Sequence, residues 1–187
     1  ALGRDAEDVA FMLDSMVGLS RLSPISVAPP WASALAEVER ARDARGLRVA
    51  YVADIAGIGV EAEIATICRT AAHRLGDAGA EVEEIAFDVS DGRDPYQAWR
   101  GLWMVGQQYA NLSELERFGP NLRGNVEAGL KVTAIDIAAA EQKRLEVFHR
   151  FRKLFERFDV LLTPAAPVKP FPVEMNFPTE INGQTFE

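Results

Sequence analysis

The chain has 187 residues, of which 48% are hydrophobic and 26% charged, and these ordinary values exclude disordered, collagen-like and low-complexity proteins. Its 20 Lys and Arg residues stand against 28 Asp and Glu residues, and the net charge of -8 argues against non-specific nucleic-acid binding. One cysteine and two histidines exclude an intramolecular disulfide framework and leave little for metal chemistry, while no apolar run approaches the roughly 20 residues of a membrane span. We therefore expect a soluble, cytoplasmic α/β protein.

The amino-terminal part of the chain predicts two helices. Asp5 and Asp8 form a capping-box-like start, apolar residues follow at helical spacing, and Gly18 is a stop signal. Serines and prolines then make 19–30 an extended connection. A polar helix rich in Ala and Arg is predicted over about 31–45.

A strand–helix–strand pattern follows. Residues 47–52 have the content of a strand, and 61–76 form an amphipathic helix. Residues 80–85 alternate apolar with polar side chains, as a strand with one wet face does. This order within about 40 residues predicts a right-handed crossover between two parallel strands of one sheet.

The remaining chain predicts helices and then a buried strand. Asp94 as N-cap and Pro95 as the first helical residue start a helix to about residue 110, and 111–132 are irregular or short-helical. Thr133 caps a long helix that runs to about residue 157. The apolar run 160–162 is typical of a central strand, which we expect in the same sheet. The prolines that follow it predict a stiff, extended segment.

One glycine pattern suggests a nucleotide site. Gly57, Gly59 and Ala62 fit GxGxxA after a strand, and Glu84 follows about 20 residues on, as in dinucleotide-binding loops. However, four residues separate the strand from the first glycine, and two glutamates in the first helical turn would repel a phosphate. The pattern therefore favours a loop that closes the strand–helix–strand unit.

The residues alone provide no complete catalytic set. His73 and His149 both fall within helical patterns, where structural roles are expected. Cys68 lies on the apolar face of its helix and is typical of a small core residue. We therefore predict no catalytic residue, no metal site and no cofactor in this chain.

Two aromatic helix faces favour core packing over ligand contact. One carries Tyr96, Trp99 and Trp103, and the other carries Phe148, Phe151, Phe155 and Phe158. Arg144 continues the phenylalanine stripe, and a buried arginine needs a carboxylate or a ligand. Glu141, one helical turn earlier, can supply the carboxylate. The alternative is that Arg144 contacts a substrate in a pocket.

Three segments, in this order, resemble the amidase signature family. Residues 4–16 fit its Arg-x-x-x-Asp-x-Ala-x-x-Leu helix, and 47–52 with 71–82 fit its strand–helix–strand block. Residues 155–164 with Pro167 fit its F-E-x-[YF]-D-V-L-L-T-P-x-x-P strand and exit. Together the segments span nearly the whole chain.

The resemblance implies an α/β fold with a mixed, twisted sheet between helices, of which residues 1–187 form a single partial domain. Members of the family hydrolyse amide bonds with a lysine, a cis-peptide serine and a nucleophilic serine in a Gly/Ser-rich segment. This chain has no Gly-Gly-Ser run, and none of its lysines lies in the catalytic context: Lys131, Lys143, Lys153 and Lys169. We therefore expect the catalytic residues outside this chain, which alone should be inactive.

The resemblance also implies a small-molecule amide substrate. From the residues themselves we expect no cofactor, no nucleic-acid partner and no membrane partner. The apolar faces that missing segments would cover predict a chain prone to associate into a homo-oligomer. Aligned with one branch of the family, Arg144 falls on an arginine that binds substrate. The competing interpretation is a non-enzymatic fragment or a nucleotide-binding-like module built on the strand–helix–strand unit.

Overall fold

The computed structural model describes residues 2–41 and 43–185. The chain divides into two compact units, 1–45 and 46–187. The prediction of one partial domain stays a prediction. Within the described residues, no helix combines the length and apolar character needed to cross a membrane.

The first unit contains helices α1 (Ala6–Met16) and α2 (Ala34–Arg40). The Asp5 carboxylate accepts a hydrogen bond from the Asp8 backbone N–H, which confirms the predicted start of α1. Asp14, near the end of α1, accepts hydrogen bonds from the Ser33 hydroxyl and from two backbone N–H groups at the start of α2. A carboxylate thus caps α2 from the neighbouring helix.

Helix α2 is shorter than the predicted 31–45. It begins after Ser33, whose hydroxyl accepts a hydrogen bond from the Ala36 N–H, and it ends at Arg40. Beyond it, the Asp43 carboxylate binds both the backbone N–H and the guanidinium of Arg45. Such a local hydrogen bond competes with helix formation. The prediction from the Ala and Arg content therefore made the helix too long. Arg42, within the predicted range, lies outside the described residues.

The second unit is built on a parallel sheet of β1 (Arg48–Tyr51), β2 (Glu81–Glu84) and β3 (Val160–Leu162), in the order β2-β1-β3. Val49 pairs with Val82 on one side and with Val160 on the other. This confirms that the three predicted strands share one sheet and that the first two are parallel. The central strand is buried, with Val49 and Ala50 fully inaccessible.

Helices cover both faces of β1. Helix α3 (Ala62–Asp77) connects β1 to β2 and packs against β2, and the hydroxyl of Tyr51 lies 3.5 Å from the Ala65 carbonyl oxygen. On the opposite face, Ala50 packs with Leu154 and Phe158 of the long helix α6 (Ala134–Arg157). The alternation of side chains along β1 therefore places one helix on each face.

Two further helices complete the second unit, and the first of them packs with α6. Helix α4 (Arg93–Gln107) contacts both α6 and α5 (Pro120–Gly129), and a 3-10 segment, Tyr109–Arg117, lies between α4 and α5. The predicted N-cap at Asp94 is wrong, because a 3-10 turn at Ser90–Gly92 leads directly into α4 and places Asp94 within the first helical turn. The capping box that starts α6, Thr133 with Asp136, is confirmed.

The chain after β3 contains no helix and no strand between 163 and 179. It then forms a short antiparallel hairpin of β4 (Glu180–Ile181) and β5 (Gln184–Thr185). Asn182 and Gly183 at its tip have φ values of 50° and 80°, as an Asn-Gly hairpin turn requires. The segment between β3 and the hairpin contacts the loop before α3, because the Pro167 carbonyl accepts a hydrogen bond from the Glu61 N–H at 2.8 Å.

Candidate functional site

Arg144 lies on the exposed side of α6 and not toward the core. Its guanidinium binds the Glu141 carboxylate through Nη2 at 2.7 Å and Nε at 3.1 Å, and 68% of its side chain is exposed. The expected continuation of a core-directed stripe is therefore wrong at this residue. The predicted pairing with Glu141 is present.

The phenylalanine stripe of α6 divides between core and surface. Phe151 and Phe158 pack toward the sheet with Leu154, whereas Phe148 and Phe155 are 58% and 48% exposed. The inward line follows positions 151, 154 and 158, the spacing of one helix face. The residues of the stripe, from Arg144 to Phe158, follow one another at spacings of 4, 3, 4 and 3 positions, which places them on one broad helix face. This spacing alone does not decide which of the two adjacent rows of side chains on that face packs against the sheet.

A shallow pocket of about 270 Å³ surrounds Arg144 on this outer side of α6. Leu145 and Phe148 supply its apolar wall, and Glu141, Gln142 and Arg144 supply its polar wall. A guanidinium beside an exposed aromatic ring can bind a carbonyl or carboxylate group while an apolar part rests on the ring. Glu141 would have to release Arg144 for that to occur.

A larger cavity of about 550 Å³ lies between α4, α5 and α6. Small residues such as Ala98, Gly101 and Ala140 leave the space open, and charged side chains, Arg100 and Lys143 among them, line its rim. Sequence reasoning missed this cavity. The available signal was a run of small residues at helical spacing, on α4 and α6, flanked by charges.

The aromatic face of α4 is exposed at two of its three positions. Tyr96 is 62% exposed and Trp103 57% exposed, so the expectation of a core face is wrong for both. Trp99 is half-buried, and in the described part of the chain its indole N–H is buried without a hydrogen-bond partner. The helix buries Pro95 and Gly101 instead, which lie on the side that faces the cavity.

The glycine loop before α3 is filled by a carboxylate of its own chain. Asp54 accepts hydrogen bonds from the N–H groups of Ala56, Gly57 and Gly59 at 3.2, 2.8 and 2.7 Å. A bound phosphate would need such backbone donors. The loop therefore lacks the free donors of a dinucleotide site, which agrees with the interpretation of a closing loop.

The remaining candidates do not assemble into a reactive group. Cys68 is half-buried on α3, and His73 and His149 are exposed on different helices. The ammonium of Lys143 lies 2.5 Å from Glu146, and that of Lys169 lies 3.0 Å from Glu63, so carboxylates hold both. Among the residues that the structure describes, no cluster of His, Cys, Asp and Glu could hold a metal ion.

A family model described as Amidase matches residues 1–185. An acylamidase of Rhodococcus erythropolis is 27% identical over 190 residues, which cover 96% of this chain and 38% of that protein. An amidase of Pseudomonas putida is 25% identical over 170 residues, which cover 88% of this chain and 35% of that protein. The chain thus spans less than two fifths of the length of these relatives.

Solved structures agree in fold. A bacterial aryl acylamidase of the amidase signature family superposes with a TM-score of 0.78 at 20% identity, over 98% of this chain and 40% of that one. A glutamyl-tRNA(Gln) amidotransferase chain of Thermotoga maritima superposes with a TM-score of 0.59 at 17% identity, over 94% of this chain and 38% of that one. Identities this low establish a shared fold and nothing more specific.

Proposed function

Because the chain belongs to the Amidase family, we propose that it is part of an enzyme that hydrolyses the carbon–nitrogen bond of amides. The observation that carries this proposal is the family match over residues 1–185, together with the curated acylamidase and amidase relatives. The catalytic residues lie outside these 187 residues, in the part of an amidase that this chain does not span. The ammonium groups of Lys143 and Lys169 are each paired with a carboxylate and so are not free to act as the catalytic lysine, which supports that placement.

The chemistry of amide hydrolysis predicts that this chain alone is inert. Amide hydrolysis by a serine needs a base that takes the hydroxyl proton and hydrogen-bond donors for the developing oxyanion. In the family that the sequence resembles, a lysine and a second serine relay the proton. The seven serines of this chain have no lysine beside them in sequence. The Ser33 hydroxyl, for example, donates a hydrogen bond to the Asp14 carboxylate.

A fluorophosphonate probe, which labels activated serines, tests this proposal. We expect the 187-residue chain to remain unlabelled and to hydrolyse no simple aryl or alkyl amide. The complete gene product should be labelled once per molecule and should turn over the amide. Stoichiometric labelling of the 187-residue chain would refute the placement of the nucleophile, and an unlabelled, inactive complete protein would refute the amidase function.

Within that enzyme, we propose that Arg144 contacts the substrate. The support is its position on the wall of a pocket with an exposed phenylalanine, and its single local partner, Glu141, which a substrate carbonyl or carboxylate can replace. A bidentate contact already made in the ground state lowers KM more than it raises kcat. Arg144 is a binding residue in this proposal and takes no part in proton transfer.

Kinetics of the complete enzyme distinguish this role from a structural ion pair. Arg144→Ala should raise KM about tenfold or more with little change in kcat, because a charged hydrogen bond is lost. Arg144→Lys should restore little, since an ammonium does not reproduce the guanidinium fork. Arg152→Ala is the matched control, because Arg152 is an exposed arginine paired with Glu156 on the same helix. Unchanged kinetics with a lower melting temperature would assign Arg144 to the Glu141 pair alone.

We propose three finer points, of which the net charge supports the first and the exposed apolar side chains support the last. With a charge of -8, the protein acts on small molecules and not on nucleic acid. It works in the cytoplasm without a cofactor. The isolated 187-residue chain associates with a second copy of itself through apolar residues of α6 that are exposed in this chain, which include Leu145 and Phe148.

A further inference from the structure

The hairpin of β4 and β5 turns at an asparagine that is followed by a glycine. Asn182 and Gly183 are both exposed, and a Cβ placed on Gly183 would meet no atom within 4 Å. The backbone N–H of Gly183 donates no hydrogen bond to any described residue. The peptide nitrogen that joins the two residues is therefore accessible and not engaged elsewhere.

An asparagine followed by a glycine is prone to lose its side-chain amide. In that reaction the backbone nitrogen of the following residue bonds to the asparagine Cγ, and the Cγ–Nδ2 bond breaks. Ammonia leaves with the proton that the backbone nitrogen carried, and water then opens the resulting succinimide ring to aspartate or isoaspartate. A side chain on the following residue hinders the ring closure, whereas glycine has none and adopts the required backbone angles freely.

The other asparagines of the chain lack this feature. Four of the five asparagines are followed by a bulky apolar side chain: Asn111 by Leu112, Asn121 by Leu122, Asn125 by Val126 and Asn176 by Phe177. Two of these four also lie within α5, where the helix fixes the backbone. The sequence therefore makes Asn182 the asparagine at which the reaction is fastest.

The amide of Asn182 holds the hairpin against the loop before α3. Its Nδ2 atom donates a hydrogen bond to the Val60 carbonyl at 2.6 Å. The neighbouring Ile181 is buried, and a Cβ placed on Gly59 would lie 3.6 Å from the Ile181 Cγ2 atom. A carboxylate has no N–H to donate, so an aspartate at this position would face the Val60 carbonyl with oxygen acceptors alone. The hydrogen bond that joins the hairpin to the loop would then be lost.

We propose that Asn182 deamidates spontaneously and that the resulting aspartate or isoaspartate releases the hairpin from the loop before α3. The Val60 hydrogen bond restrains the amide, so the folded chain reacts more slowly than the unfolded chain. Because the ammonia is lost, the change runs in one direction and acts as a slow covalent switch on the hairpin. It needs water alone and does not depend on the proposed amide hydrolysis.

Peptide mapping by mass spectrometry of the 187-residue chain, incubated in mildly alkaline buffer, tests the site. An unincubated sample gives the background from digestion. Asn182 should deamidate at least tenfold faster than each of the other four asparagines, because its successor alone lacks a Cβ. A rate at Asn182 equal to that of the others would overturn the proposal.

The same measurement in guanidinium chloride separates the chemistry from the fold. The rate at Asn182 should rise, since the Val60 hydrogen bond is lost, and a rate that does not rise would overturn the restraint by Val60. Gly183→Ala should slow the reaction at least tenfold in the unfolded chain, where the positive φ of 80° at this position no longer matters. An unchanged rate in unfolded Gly183→Ala would overturn the attack by the backbone nitrogen.

Asn182→Asp, which carries the product side chain, tests the consequence. Amide hydrogen exchange of residues 180–185 should quicken about fivefold or more, the change expected for the loss of one hydrogen bond. Gln184→Glu is the matched control, because it adds the same charge to the same hairpin at an exposed side chain outside the Val60 contact. Its exchange should match that of the unsubstituted chain. Unchanged exchange in Asn182→Asp, or an equal increase in both variants, would overturn the release of the hairpin.

Discussion

Arg48 and Asp159 join the starts of two neighbouring strands. The Asp159 carboxylate accepts hydrogen bonds from the backbone N–H of Arg48 at 3.0 Å and from its guanidinium at 2.7 Å, and the Asp159 N–H donates to the Arg48 carbonyl. The two residues are 111 positions apart in sequence. The pair therefore sets the register of β1 and β3 at their amino ends.

The Arg48 guanidinium and backbone N–H lower the pKa of Asp159 from its ordinary value of 3.8 to about 2. Because the folded-state pKa lies below the unfolded one, the pair stabilises the fold fully above pH 3.8 and loses this contribution as the pH falls toward 2. Asp159→Asn should therefore lower the urea midpoint at pH 6 and flatten its fall between pH 4 and pH 2. Urea unfolding at a series of pH values measures both effects.

Glu114→Gln provides the control, because its carboxylate pairs with Arg117 within one helical turn and joins no strands. Its urea midpoint should change little at any pH. An Asp159→Asn variant with the same midpoint and pH profile as the unsubstituted protein would contradict the importance of this pair.

The outcome at Arg144 and Asp54 shows what sequence reasoning lacked at the residue scale. The helical spacing correctly paired Arg144 with Glu141, since both residues lie within one turn. It could not decide exposure, because that depends on which line of α6 meets the sheet. The Asp54 contacts with three N–H groups depend on loop geometry that the GxGxxA spacing does not encode.

Helices α4 and α5 cross at two glycines, Gly101 and Gly129. A Cβ placed on Gly101 would lie 2.9 Å from the Cα of Gly129, and a Cβ placed on Gly129 would overlap the carbonyl of Gly101. Both obstacles are backbone atoms, so no flexible side chain can move aside. The close crossing holds the two helices that form one side of the large cavity.

Gly129→Ala should destabilise the protein by about 2–3 kcal/mol, because the added methyl group forces the two helix backbones apart. Gly124→Ala is the matched control in the same helix, where a Cβ meets nothing within 4 Å. Helix propensity predicts that this control gains up to about 1 kcal/mol. Thermal and urea unfolding of the two variants compare these effects directly.

The two substitutions separate packing from helix propensity. If Gly129→Ala and Gly124→Ala changed the free energy of unfolding equally, the close crossing would contribute nothing. Gly101→Ala and Gly106→Ala repeat the comparison within α4, since a Cβ on Gly106 also meets no atom within 4 Å.

The elements that sequence predicted well depend on local signals. The capping residues Asp5 and Thr133 act within one turn. Apolar content identified β1 and β3, and the alternation of apolar with polar residues identified β2. The errors occurred where a neighbouring segment decides the boundary. The 3-10 turn before α4 starts the helix earlier than predicted, so Asp94 is not its N-cap. The Asp43 turn lies where α2 was predicted to continue.

At the scale of the whole molecule, many large apolar side chains remain exposed. On α6 alone, Leu145, Phe148 and Phe155 are 52%, 58% and 48% exposed. They lie at positions i, i+3 and i+10, so they form one line along the outer side of the helix. Such a line favours association with another apolar surface, and a second copy of the chain provides the same surface.

We expect the chain to sediment as a dimer or larger species at micromolar concentration. The double substitution Phe148→Glu and Phe155→Glu should shift it to monomer, because two carboxylates cannot be buried in an apolar contact without a partner. Phe177→Glu is the matched control, since Phe177 is 53% exposed but lies in the segment after β3. Sedimentation velocity over a hundredfold range of concentration measures the distribution. A monomeric unsubstituted chain would refute self-association, and an equal loss of association with Phe177→Glu would remove α6 as the interface.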